Sequence, residues 1–344
     1  MNPNCKYTPA DFKSDQEVRW CPGCGDHAIL SAVQRACVDI AEQRAIPHNK
    51  FTFISGIGCS SRFIYYMKTF GFHTIHGRAA AIATGVKVAN PDLSVWVATG
   101  DGDSLAIGGN HFIHAIRRNI DLNVMLFNNE IYGLTKGQYS PTTPIGRITK
   151  TSPYGTVEHP FNPGELVIGA KGSFFARSID VELKLTEECL VAGGTHRGMS
   201  VVEILQTCVI FNTTTYSEFA GDKAKRAENT IVLKHGEKML FGTEKQRGLV
   251  FEDMRLKAVT VGEDGYTIDD VLTHDAHTPE TTLHNMLAAM KYPELPVALG
   301  VIRCLDDAQV YDEAVTAQIE WVASTAKIKS VDDLLNSGET WEVK

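Results

Sequence analysis

The chain lacks a long apolar run, a dense basic cluster and an internal repeat, and each absence removes a class of function. No uninterrupted apolar stretch approaches the roughly 20 residues that a helix needs to cross a bilayer. Residues 1–20 are polar and have no apolar segment of the kind that marks a secretory leader. With a formal net charge of −8 and no basic stripe, the expected partners are small molecules or other proteins, with no role for nucleic acid or membrane. Together these absences predict a soluble, cytoplasmic protein. In a reducing compartment its eight cysteines are expected to be free thiols or metal ligands rather than disulfides.

What is present suits an ordinary globular fold: 43% of residues are hydrophobic and 22% charged. Residues 26–40 carry Ile29, Leu30, Val33, Cys37 and Ile40 at helical spacing, with Asp26 as the expected cap. Phe51–Ser55, Leu93–Thr99, Leu122–Phe127, Phe174–Ile179 and Ser200–Leu205 are short apolar runs suited to buried strands. Helices are expected at 105–118 and 184–195 between them. This alternation predicts an α/β fold with a parallel sheet covered by helices on both faces. Prolines 141, 144, 153, 160 and 163 make residues 140–164 a loop. From about residue 217 the charge density rises and the alternation fades. Two parts are therefore expected: an α/β domain over 1–216 and a C-terminal extension over 217–344, with helices near 280–291 and 309–323.

Two of the strands run directly into polar signatures. Leu93–Thr99 leads into Gly100-Asp101-Gly102-Asp103, and Leu122–Phe127 leads into Asn128-Asn129. Asp101 and Asn129 are 28 positions apart. An intervening helix of about 21 Å and a return strand of similar length bring both to the carboxyl edge of neighbouring parallel strands. Ligands bind at that edge in open α/β sheets. A magnesium ion shared with a diphosphate wants oxygen donors in near-octahedral array. Asp101, Asn129 and the Ile131 carbonyl would supply three. Gly100 and Gly102 would let the backbone approach phosphates, and the helix start beyond Asp103 would offer free N–H groups. This pair of motifs resembles the diphosphate-binding signature of thiamine-diphosphate enzymes, with Gly133-Leu134 placed to close over the cofactor.

Cys21-Pro22-Gly23-Cys24 is a CxxC turn just before the first helix, whose positive end would favour thiolate. Cys59 and Cys208 follow strands whose ends lie on the same sheet edge as Asp101, so the four thiols can converge there. Four thiolates suit either Zn²⁺ or a 4Fe–4S cluster, and the ligand types do not separate them.

CPGCG, GIGCS, HGRA, GDGD and NNEIYGLTKGQ occur in this order over about residues 18–216. Together they resemble the β subunit of 2-oxoacid:ferredoxin oxidoreductases. The resemblance implies one 4Fe–4S cluster on Cys21, Cys24, Cys59 and Cys208. It implies cofactor contacts from Ile57, Gly58, Cys59, Ser60, His76, Gly77, Arg78 and Ala79. It also implies oxidative decarboxylation of a 2-oxoacid, with electrons passing singly through the cluster to ferredoxin and coenzyme A taking the acyl group. Lys136 is a candidate to meet the substrate carboxylate. Cys5, Cys37, Cys189 and Cys304 match no family ligand, and Cys37 suits a buried structural thiol. His111, His114, Arg117 and Arg118 are expected on a helix surface.

Only one α/β unit is evident, so the resemblance implies an α subunit that supplies the pyrimidine-binding domain and catalytic glutamate, as an αβ heterodimer or a dimer of such pairs. The long extension and the LTKGQYSPTT stretch look most like 2-oxoglutarate members. Pyruvate or broader specificity stays open, as does a non-redox thiamine enzyme with a structural zinc.

Overall fold

The computed structural model describes residues 6–263 and 265–343. Cys5 lies outside these residues. Strands β1 Phe51–Ser55, β2 Phe70–His73, β3 Ser94–Gly100, β4 Leu122–Asn128, β5 Phe174–Ile179 and β6 Ser200–Leu205 alternate with six helices. These are α1 Asp26–Gln43, α2 Ala79–Ala89, α3 Asp101–Leu105, α4 Gly109–Arg118, α5 Pro163–Gly169 and α6 Leu183–Thr195. The remainder contributes α7 Ser217–Ala220, α8 Lys223–Asn229, β7 Thr230–Leu233, β8 Leu240–Phe241, β9 Arg247–Glu252, β10 Arg255–Thr260, α9 Thr282–Ala289, β11 Val297–Cys304, α10 Tyr311–Thr325 and α11 Val331–Leu335. Among the described residues no helix is long and apolar enough to cross a membrane.

The main sheet has eight strands in the order β2-β1-β3-β4-β6-β5-β11-β7. Every pairing from β2 to β5 is parallel, which the alternation in the sequence anticipates. Alternate residues divide between two cores, since side chains switch faces at every step of a strand. On β3, Val95 and Val97 pack with Phe112 of α4, while Trp96 and Ala98 pack with Ile29 of α1 and Leu190 of α6. Burial on both faces explains why these strands read as unbroken apolar runs.

Three features depart from the sequence expectation. The sheet is mixed: β11 pairs antiparallel with β5, and β7 pairs parallel with β11. Residues beyond 216 thus complete the main sheet and also form a small antiparallel sheet, β10-β9-β8. The helix expected over 105–118 is two helices, broken at residues 106–108, because Gly108 packs against Gly77, with their backbones too close for a side chain on either. Finally, helix α3 starts at Asp101 itself rather than after Asp103.

Candidate active site

The carboxyl ends of β1, β3 and β4 open into a cavity of ≈ 420 Å³. Its wall includes Ile57, Gly58, Cys59, Ser60, His76, Gly100, Asp101, Gly102, Asp103, Asn129, Ile131, Gly133 and Leu134. All thirteen are residues the motifs single out. Register explains the convergence, because Gly100, the last residue of β3, pairs with Phe127 of β4.

Asp101 is buried, and its Oδ2 accepts hydrogen bonds from Ser140 Oγ at 2.5 Å and Thr142 Oγ1 at 2.6 Å. Burial raises its pKa, and the hydroxyl donors oppose that shift. Next to it, Glu130 is raised to about 8, first by burial and then by the charge of Asp101. Two neighbouring carboxylates, one buried and one half-buried, fit a site built around a cation. Asn129 gives its amide N–H to Gln206 Oε1 at 3.0 Å, and its Oδ1 accepts only a long bond, 3.2 Å, from Ile131 N–H. Of the carbonyls over 128–131, those of Asn128, Asn129 and Glu130 accept hydrogen bonds. Among the described residues none ends on the Ile131 carbonyl. An acidic oxygen, an amide oxygen and a free carbonyl beside one cavity are a hard-cation donor set.

The second glycine of the signature is required by close approach. A Cβ on Gly102 would lie 2.2 Å from the Tyr132 ring, whose hydroxyl donates to Gly102 O at 3.0 Å. Asp103 is buried and acts as an anchor: its carboxylate accepts from His76 Nδ1 at 2.8 Å, Gly77 N–H at 2.7 Å and Thr99 Oγ1 at 2.8 Å. It holds the HGRA turn against the GDGD turn, with Gly77 at φ +70°. Gly77, Arg78 and Ala79 do not line the cavity. Ala79 is buried in the core at the start of α2, and Arg78 Nη1 reaches the Ile107 carbonyl at 3.4 Å.

The cysteines gather on the neighbouring rim. A Cβ placed on Gly133 would lie 3.6 Å from Cys208 Sγ and 3.7 Å from Cys59 Sγ. Cys24, at the start of α1, receives a hydrogen bond from Gln206 Nε2 at 3.3 Å, and Cys21 is exposed. Asp180 joins the segments that carry these thiols: it accepts from Thr207 N–H at 3.3 Å, and its carboxylate fills the space where a Cβ of Gly25 would stand. The expected thiolate-favouring environment is not found for the bare sulfurs. Burial first, then the carboxylate of Asp26 at the helix start, raise the pKa of Cys24 and carry Cys59 to about 11. Cys37 and Cys189 are fully buried in the core, as expected for Cys37. Lys136 is exposed in a turn at φ +78° and does not line the cavity.

Residues 56–204 match the family model described as thiamine pyrophosphate enzyme, C-terminal TPP binding domain. The chain is 44% identical to the 2-oxoglutarate oxidoreductase subunit KorB of Mycobacterium tuberculosis, over 97% of its own length and 88% of that protein's. The chain belongs to the 2-oxoacid:ferredoxin oxidoreductase β-subunit family. Within this family it is also 48% identical to the 2-oxoglutarate synthase subunit KorB of Archaeoglobus fulgidus, over 55% of the chain and 69% of that protein. A solved 2-oxoglutarate:ferredoxin oxidoreductase from Magnetococcus marinus, with 2-oxoglutarate, coenzyme A and succinyl-CoA bound, superposes with a TM-score of 0.75 at 31% identity. That match covers 98% of this chain and 97% of the other. It takes in the C-terminal strands along with the α/β core.

Several residues that shape this family site have roles the motifs do not reveal, although Tyr132, Ser140 and Thr142 lie inside the NNEIYGLTKGQ and LTKGQYSPTT stretches. Tyr132, Ser140, Thr142, Asp180 and Gln206 are defined by what they touch. The hydroxyls of the 140–143 stretch are legible, but their target, Asp101, is about forty residues upstream.

Proposed function

We propose that this chain is the β subunit of a 2-oxoglutarate:ferredoxin oxidoreductase, forming succinyl-CoA and CO₂ from 2-oxoglutarate and coenzyme A and passing electrons to ferredoxin. The observation that carries this reading is the shared rim: Cys59 and Cys208 pack against Gly133, whose own backbone lines the cavity holding Asp101, Asn129 and Ile131. A group that accepts electrons and a group that releases them would therefore be neighbours. Thiamine diphosphate, when bound, supplies the electron sink for decarboxylation.

The chain's own residues would bind and orient. Asp101, Asn129 and the Ile131 carbonyl would hold Mg²⁺ against the diphosphate, and Gly100 and Gly102 would let phosphate oxygens approach the backbone. His76, fixed by Asp103, would stand over the cavity mouth. Cys21, Cys24, Cys59 and Cys208 would hold one 4Fe–4S cluster. Their spacing favours a cluster over one zinc. A tetrahedral ion at 2.3 Å from each sulfur needs sulfurs about 3.8 Å apart. Among the described residues no three of the four fall within 4.8 Å of one another.

An α subunit would complete the site. The cavity wall contains no glutamate among the described residues, so the carboxylate that activates the aminopyrimidine would come from that partner. Ile75, Leu134 and Ile107 are large apolar side chains left more than half exposed around this edge, as expected of a face that another subunit covers. Lys136, exposed on the same rim, would meet a substrate carboxylate once that face is closed. The reading is tested by purifying the chain anaerobically with its partner, counting iron, sulfide and zinc, and recording the spectrum before and after adding 2-oxoglutarate with coenzyme A. About four irons and four sulfides per chain, bleached by substrate, support it. One zinc without sulfide or bleaching overturns it in favour of a non-redox thiamine enzyme.

A further inference from the structure

Away from the cavity, the end of β11 gathers three donors of different kinds. Cys304 Sγ, a ring nitrogen of His277 and a carboxylate oxygen of Asp306 all lie within 4.8 Å of one another, the one such group of His, Cys, Asp or Glu among the described residues. His277 Nδ1 stands 2.8 Å from Asp306 Oδ2. Yet this nitrogen is shielded from water and makes no aligned hydrogen bond. The two form an ion-pair contact without hydrogen-bond alignment, and with the Cys304 sulfur beside them they offer three donors that an ion could draw on together.

A fourth donor faces the same sulfur, and its tautomer can be worked out. Met199 N–H donates to Asn119 Oδ1 at 2.9 Å, which fixes that oxygen as an acceptor. Ser173 Oγ therefore donates to Asn119 Oδ1 at 2.6 Å and accepts from His196 Nε2–H at 2.8 Å. This leaves the His196 Nδ1 lone pair to accept from the Cys304 S–H at 3.8 Å, just outside the three-donor group. Once the thiol proton is lost, that lone pair is open to an ion bound at the sulfur. A neutral histidine with its far nitrogen anchored is how metal-binding imidazoles are held. Around a tetrahedral ion with bonds of about 2.1 Å to nitrogen or oxygen and 2.3 Å to sulfur, neighbouring donors stand about 3.4–3.6 Å apart. The 2.8 and 3.8 Å separations bracket that spacing.

We propose that Cys304, His277 and Asp306, with His196 as fourth donor, form a binding site for a zinc-class divalent ion. One sulfur, two imidazole nitrogens and one carboxylate oxygen suit Zn²⁺ over Mg²⁺ or Ca²⁺. Loading the site transfers the Cys304 thiol proton to solvent as the metal–sulfur bond forms. The ion would tie the 275–277 segment and the end of β11 to His196, which ends α6. It would thus act as a staple between the C-terminal strands and the thiamine-binding part, independent of the four-cysteine rim.

The test uses the full chain purified with its partner subunit, equilibrated with Zn²⁺ and passed through a weak chelator, with zinc, iron and sulfide counted together. One zinc per chain is expected, lost in Cys304→Ala and in His277→Ala while iron and sulfide are unchanged. Co²⁺ in place of zinc is expected to give a thiolate charge-transfer band that Cys304→Ala abolishes. No retained zinc and no cobalt band overturn the proposal. So does zinc that survives Cys304→Ala but vanishes in Cys21→Ser, since that metal would sit on the cysteine rim. Should Cys304→Ala fail to fold, Asp306→Asn, at an exposed ligand, is expected to weaken zinc retention by about tenfold or more, and unchanged retention there overturns the proposal as well.

Discussion

The two places where this chain gathers thiols with other ligands differ in how they are built. On the cysteine rim CPGC stands just before α1, GIGC follows β1 and Cys208 follows β6, and among the described residues no three of these sulfurs fall within 4.8 Å of one another. At the end of β11 the donors of residues 277, 304 and 306 have no recurring spacing yet lie close together, with His196 Nδ1 3.8 Å from the Cys304 sulfur. The first arrangement is written in the order of the strands. The second exists only because β11 inserts antiparallel beside β5. Recognisable spacing and compact geometry are therefore separate properties, and a sequence reports only the first.

The largest expected effect falls on the motif-built region. Asp101→Asn keeps the shape but removes the buried charge, and turnover with 2-oxoglutarate is expected to fall on the order of 100-fold or more. An unchanged rate at saturating Mg²⁺ and thiamine diphosphate would dissolve the proposed cation site. Cys59→Ser is expected to lower iron and sulfide content and to abolish substrate bleaching, while Cys304→Ser leaves both intact. Equal loss in the two variants would erase the distinction between the regions.

Stability should divide in the same way. Glu203, beneath the site, is buried with Arg177 at 2.6 Å and also accepts from Asn128 Nδ2 at 2.8 Å. Arg177→Met strands that carboxylate and is expected to cost about 3–5 kcal/mol in denaturant unfolding. Gly102→Ala forces the Tyr132 ring aside and should cost about 1–3 kcal/mol. Gly109→Ala, where a Cβ meets nothing within 4 Å, should stay within about 1 kcal/mol of neutral. A Gly102→Ala protein as stable as Gly109→Ala would mean that Tyr132 is not fixed over the turn.

At neutral pH the last effect is silent, since it is one of pH and belongs to the C-terminal side. His274 is buried with Nε2 2.9 Å from the Val301 carbonyl, and burial lowers its pKa from 6.5 to about 4. The unfolded chain takes up a proton there between pH 6.5 and 4 that the folded chain refuses. Stability contributed by this group is thus present above pH 6.5 and lost as the pH falls toward 4. His274→Gln should flatten that acid limb, and an unaltered slope would show that another group controls it.

Much of the fold was legible in the sequence because the strands are buried on both faces, so that Ser94–Gly100 and Leu122–Asn128 stand out as apolar runs between helices. The site was legible for the same reason: parallel strands deliver their following residues to one edge, and the motifs sit immediately after them. What failed to show depends on contacts distant in the chain. The break between α3 and α4 follows from Gly77 meeting Gly108. The support for Asp101 comes from hydroxyls in a loop that carries no periodicity. Strand β11 contains Gly300 at φ +91° and Arg303 within an apolar run, which blurs its signature.

That late strand has a consequence for biosynthesis. When β5 emerges from the ribosome its outer edge has no partner until Val297–Cys304 is made, more than a hundred residues afterwards. At ordinary elongation rates this lasts on the order of ten seconds. Throughout that interval the nascent chain carries an open, apolar hydrogen-bonding edge, Phe174–Ile179, beside a nearly finished sheet. Such an edge invites pairing with other chains. Chaperone occupancy on nascent chains is therefore expected to concentrate between the synthesis of β6 and that of β11.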